Sequence, residues 1–128
     1  MTSKKIILTD KAPAPVGPYS QGVQAGQFLY VAGQVPMNPE TKEIIKGDIQ
    51  EATKQVMENI KAIVEQAGYN MIDIVRCRVY LKNMDDFGAM NEIYGSYFPE
   101  KPPARVAFEA SRLPLDVDIE ISATAWKE

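Results

Sequence analysis

The sequence predicts an α+β fold, one mixed six-stranded sheet with two helices packed on one of its faces. Three observations predict it. Apolar positions recur at helical spacing in two stretches, 48–67 and 83–98. Six other stretches are rich in β-formers and are bounded by turn residues. The last of them, 117–126, alternates: Val117, Ile119, Ile121, Ala123 and Ala125 on one side, Asp118, Glu120, Ser122, Thr124 and Trp126 on the other. The resulting order is β-β-β-α-β-α-β-β.

The chain of 128 residues reads as a single domain, 1–128, with enough apolar side chain for a core. Its composition, 45% apolar and 24% charged, is that of an ordinary globule. The net charge of −3 and the absence of a dense Lys/Arg run argue against nucleic acid as the main partner, because phosphate binding needs clustered cations. No apolar run approaches a membrane span. MTSKKIILTD lacks the apolar core and cleavage site of a signal peptide, so the expected location is the cytoplasm, with no membrane partner. A single cysteine, Cys77, excludes an intrachain disulfide. The chain has no histidine, which removes Ser-His-Asp and Cys-His catalysis and His- or Cys-type zinc sites within one chain. Acid–base chemistry then falls to carboxylates, tyrosine, lysine, backbone or water. A carboxylate paired with a fixed arginine is the arrangement to look for.

KIIL, 5–8, predicts a short first strand. KAPAPVGPYS follows with three prolines, a stiff extended connection. Residues 19–25 and 27–33 predict a hairpin turning at Gly26. Pro36, Asn38, Pro39 and Gly47 mark a loop. In the first helix Asp48 supplies an N-cap and Glu51 a capping box. Val56, Ile60, Ile63, Val64 and Ala67 form its buried stripe, and Gly68 ends it. The strand at 74–82 should turn Val75, Cys77, Val79 and Leu81 one way and Arg76, Arg78, Tyr80 and Lys82 the other. Asn83 or Asp85 caps the second helix, whose stripe is Phe87, Met90, Ile93, Tyr94 and Tyr97. Strands at 105–111 and 117–126 complete the chain. The sheet face turned from the helices mixes Tyr30, Tyr80 and Trp126 with polar groups. It points to self-association, with a water-facing sheet as the alternative.

Candidate chemistry concentrates in PPARVAFEASRLPLDVDIEI, 102–121. Arg105 follows two prolines that stiffen its approach. It reads either as a fork for a carboxylate or as one half of a surface ion pair. Glu120 lies in a strand of small or apolar residues. It reads either as a general base or water holder or as the partner of Arg76, Arg78 or Arg112. Tyr19 enters from the stiff loop, to line a cleft or to pack at the sheet edge. Gly33, in VAGQ, admits a close backbone approach or simply closes a strand. Cys77 reads as a buried small hydrophobe and Asp85-Asp86 as a helix cap, not a metal site.

The stretch PARVAFEASRLPLDVDIEI resembles the C-terminal signature of the YjgF/RidA family of reactive intermediate deaminases. APAPVGPYSQGV and AGQVPMNP resemble its N-terminal motifs, so the likeness runs from about residue 5 to 127. The resemblance implies a chorismate-mutase-like fold in which the last strand inserts between the third and fourth. It implies a homotrimer with a central β-barrel and ligand clefts between subunits. The implied activity is hydrolysis of 2-imino acids and their enamines (2-iminobutanoate, 2-iminopropanoate, 2-aminoacrylate) to 2-oxo acids and ammonia, without cofactor or metal. These intermediates come from pyridoxal-phosphate dehydratases. Arg105 would hold the substrate carboxylate and Glu120 would orient the attacking water. Gly33 and Tyr19 would line the pocket, with Phe87 and Asn91 contributed by the neighbouring subunit. Many members carry serine where this chain has Ala32 and cysteine where it has Ala107, so only backbone can serve at those positions. A non-catalytic 2-oxo acid sensor or translation-regulating module is the alternative from another class. RNA cleavage, reported for some members, fits poorly with an acidic chain lacking histidine.

Overall fold

In a computed structural model describing residues 3–128, the chain forms one six-stranded sheet with two helices against one face. The strands are β1 (Lys5–Ile7), β2 (Gly22–Ala25), β3 (Phe28–Gln34), β4 (Ile74–Leu81), β5 (Ala104–Glu109) and β6 (Ile119–Trp126). The helices are α1 (Ile49–Gln66) and α2 (Phe87–Ser96). The spatial order is β1-β2-β3-β6-β4-β5. β6 runs antiparallel to both its neighbours, β3 and β4, and only β4–β5 is parallel. A parallel neighbour needs a crossover, and α2 supplies it. The insertion of β6 between β3 and β4 is the arrangement the family resemblance implies and strand periodicity alone could not reveal.

Helix α1 starts where Asp48 Oδ1 accepts the Glu51 N–H at 3.2 Å; the reciprocal half of the expected capping box is not formed. It ends in a Schellman arrangement. Gly68 adopts φ 84°, its N–H reaches the Glu65 carbonyl, and the Tyr69 N–H reaches that of Val64. Helix α2 is shorter than the sequence predicts, because a 3₁₀ turn at Met84–Asp86 precedes it, capped by Asn83. Val56, Ile60, Ile63 and Val64 of α1 and Met90 and Tyr94 of α2 bury themselves against Leu29, Cys77, Val79, Leu81, Ile119 and Ile121. Burial of each such side chain contributes about 1.5–3 kcal/mol.

The alternation expected of β6 is observed, with Ile119, Ile121, Ala123 and Ala125 buried and Glu120, Ser122 and Thr124 turned away. In β4 one expectation fails. Ile74 pairs with Ala125 and Arg76 with Thr124, so Val75 is the extra residue of a bulge. Ile74 takes the core position, and Val75 is 45% exposed. Beyond the bulge Cys77, Val79 and Leu81 face the helices and Arg76, Arg78 and Tyr80 do not. The face without helices carries Ile6, Phe28, Tyr30, Val106, Phe108 and Trp126, all exposed large apolar side chains. Among the described residues no helix is long and apolar enough to cross a membrane.

Candidate functional site

A second bulge builds the first half of the site. On β3–β6, Val31 pairs with Ala123 and Gln34 with Ile121, so Ala32 and Gly33 together oppose Ser122. The displaced backbone brings Gly33 over the Glu120 side chain. A Cβ at position 33 would overlap Glu120 Oε2 and stand 2.9 Å from its carboxyl carbon. Glycine is needed here for space, not for conformational freedom.

Around this carboxyl lies a cavity of about 490 Å³, lined by Tyr19, Ala32, Gly33 and Glu120 and by apolar residues including Val16, Met37 and Leu115. Buried amides fix its walls. Gln21 Nε2 donates to the carbonyls of Thr9, Ala12 and Pro13, and Gln21 Oε1 accepts from the Thr9 N–H at 2.7 Å. This ties the proline-rich loop down beside Tyr19. Asn59 on α1 donates to the carbonyls of Val35 and Met37 on the opposite wall. Leu115 stands at φ 59°, a left-handed conformation unusual for leucine, and is half exposed at the mouth. Glu120 is half-buried, and burial raises its carboxyl above the ordinary value. Lys82–Asp116 is the one ion pair among the described residues, so Glu120 has no arginine partner there.

Arg105 forms the second half. Its Nη1 donates to Asn91 Oδ1 at 2.7 Å. Its guanidinium carbon lies 5.2 Å from the centre of the Phe87 ring and 4.9 Å from that of Tyr94. Held on two rings and one amide, the fork keeps most of its five donors for an anion. Ala107, two residues on, is half-buried on the same face. Beneath, Tyr94 Oη is buried with no hydrogen-bond partner among the described residues. Burial, then the adjacent Cys77, pushes the Tyr94 hydroxyl pKa up; burial pushes the Cys77 thiol to about 11, so both stay neutral.

The two halves do not meet within one chain. Arg105 pairs with Cys77 and shares its helix-covered face; Glu120 pairs with Tyr80 on the other face. Tyr19, Ala32, Gly33 and Glu120 are brought together, and so are Arg105, Phe87 and Asn91. One expectation is thereby corrected. Phe87 and Asn91 belong with Arg105 of their own chain, because α2 packs over β5; only relative to Glu120 would they come from a neighbour. The sequence reading missed the supports. Gln21 and Asn59 are nearly inaccessible polar residues, and Tyr94 was read only as part of an apolar stripe. Asn59 interrupts the apolar stripe of α1, and that interruption was the available signal.

Residues 9–127 match the family model described as Endoribonuclease L-PSP. A RutC family protein of Pyrococcus horikoshii is 59% identical over 98% of this chain and 99% of its own. The 2-iminobutanoate/2-iminopropanoate deaminase of Mus musculus is 41% identical over 95% of this chain and 90% of its own. The crystal structure of E. coli TdcF with bound serine superposes with a TM-score of 0.93 at 39% identity, covering 97% of this chain and 99% of that one.

Proposed function

The chain belongs to the Endoribonuclease L-PSP family, which is also the YjgF/RidA/RutC family, and on that premise we propose that it hydrolyses 2-imino acids to 2-oxo acids and ammonia. One observation carries this reading. An unpaired, half-buried carboxyl stands in a walled cavity, and an unpaired, ring-stacked guanidinium stands on the opposite sheet face. A second copy that joins the two would hold a small carboxylate substrate beside a base. The imino-acid deaminase of mouse and the serine bound to the E. coli relative support a small amino-acid-like ligand.

In this mechanism Arg105 donates two parallel N–H bonds to the substrate carboxylate and sets the imine carbon over Glu120. Glu120 takes a proton from water as the oxygen attacks that carbon. Glu120 passes that proton to the carbinolamine nitrogen, then takes the hydroxyl proton as the C=O bond forms and the C–N bond breaks; ammonia leaves with the 2-oxo acid and carries off the last proton as ammonium. An iminium carbon is already electrophilic, so positioning and one base suffice, and no step calls for a metal or cofactor. Tyr19 and the Gly33 backbone close the pocket, with Ala32 and Ala107 contributing backbone only. The exposed apolar face of the sheet supports self-association; in this proposal the assembly is a homotrimer with a central barrel, working in the cytoplasm on imines released by dehydratases.

The test is semicarbazide trapping of 2-iminobutanoate generated by a threonine dehydratase. The protein should lower the trapped signal, and folded Arg105→Ala should not. Unchanged trapping with the unmodified protein would overturn the proposal. A non-catalytic 2-oxo acid sensor would instead bind 2-oxobutanoate while leaving trapping untouched.

A further inference from the structure

On the helix-free face, β4 and β6 enclose a second cavity, about 250 Å³, lined by Tyr30, Arg76, Arg78, Ser122 and Thr124 over Val31 and Ala123. Its geometry follows from register. Arg76 pairs with Thr124, which pairs in turn with Tyr30, and Arg78 pairs with Ser122. The two guanidinium stems leave the same strand about 6–7 Å apart, two residues along it. Three hydroxyls stand beside them, each able to donate.

Neither arginine side chain makes a hydrogen bond or an ion pair among the described residues. The β6 residues opposite them are Ser122 and Thr124, where a carboxylate would neutralise them. The next outward residue of β6, Glu120, turns its carboxyl to Gly33 instead. In a chain of net charge −3, two adjacent uncompensated cations are a local feature, not the overflow of a basic protein. Like charges held this close repel, and an anion between them removes the repulsion while accepting several charge-assisted bonds.

We infer that this pocket is an anion site for a phosphate group, separate from the Arg105 and Glu120 chemistry. Two arginine forks with convergent hydroxyls match a tetrahedral, multiply charged oxyanion better than a single carboxylate. The site itself needs only one chain. Should copies associate through this face as proposed above, the pocket becomes enclosed and the bound anion supplies the counter-charge for arginines of several copies.

Calorimetric titration of the protein with inorganic phosphate in low-salt buffer tests it, with a phosphate monoester and acetate as comparison ligands. The expected result is saturable binding of phosphate, one per chain, with acetate at least about tenfold weaker. Binding of the monoester as tightly as phosphate identifies the group as the recognised unit; rejection of the monoester narrows the site to free phosphate. Arg76→Gln and Arg78→Gln should each weaken binding about tenfold or more while imine trapping is unchanged. Arg105→Ala should keep phosphate binding, so failure here is separable from failure of the deaminase reading. Both arginines are exposed, and a circular dichroism melt confirms that the variants fold. Absence of saturable binding, or binding lost in Arg105→Ala and kept in the double Arg76→Gln/Arg78→Gln variant, would overturn the inference.

Discussion

Gly33 and Glu120 share one space: the carboxyl of Glu120 lies where a side chain at position 33 would begin. Gly33→Ala should therefore displace the carboxylate while leaving the Arg105 half intact. Since a positioned base contributes roughly 10²–10⁴-fold, imine hydrolysis should fall by at least about 10²-fold. Steady-state trapping kinetics check this; a variant within about threefold of the parent would show that Glu120 need not sit there.

The raised carboxyl pKa of Glu120, caused by burial, has a signed consequence. A base must be deprotonated, so the rate should fall on the acid side, with its midpoint above the ordinary carboxylate value. The same shift makes the native state bind protons more readily than the unfolded one. Stability from this group is present at low pH and lost as pH rises through the raised value. Glu120→Gln should accordingly melt at a slightly higher temperature at neutral pH while losing activity. A pH–rate profile and paired thermal melts at acidic and neutral pH test both signs.

Asn91 and Tyr94 touch Arg105, one through a hydrogen bond and one through its ring, and on the proposed mechanism they position its fork. Asn91→Ala removes the 2.7 Å bond that orients the fork. A charge-assisted bond contributes about 1.5–3 kcal/mol, so about 10–100-fold in kcat/KM should be lost. Arg105→Lys keeps charge but not the planar fork on its two rings, and should not rescue activity. Comparing kcat and KM for the variants separates orientation from simple binding.

Asn59 holds the Val35 and Met37 carbonyls from inside α1. Asn59→Ala leaves the half-buried Met37 carbonyl without its donor, while the Val35 carbonyl keeps the Met37 N–H at 2.7 Å, and should cost about 1–3 kcal/mol of stability. Denaturant unfolding measures it, and a loss within about 0.5 kcal/mol would assign the wall to other contacts.

Much of the fold was legible in the sequence because two periods, helical and alternating, are clean here. Asp48, Gly68 and the alternation of β6 sit where local chemistry puts them. Strand order was not legible from pattern, because the long-range pairing of β6 with β3 and β4 leaves no local trace. It came from the family resemblance. The bulge at Val75 was equally silent, as a valine suits either face. Of the candidate site, the residues were legible but their grouping was not. Register alone decides that Arg105 faces the helices and Glu120 does not. Gln21 and Asn59 carry no chemistry of their own, and only the carbonyls they hold reveal them.

On the proposed mechanism each cleft takes Arg105 from one chain and Glu120 from another. Arg105→Ala and Glu120→Gln, each inactive alone, should be unfolded together in equal amounts and refolded as mixed oligomers. In a closed ring about one interface in four then carries both intact residues, and about a quarter of the parental activity should return. Activity no higher than that of either variant alone, with mixed oligomers confirmed by native mass spectrometry, would contradict the shared site.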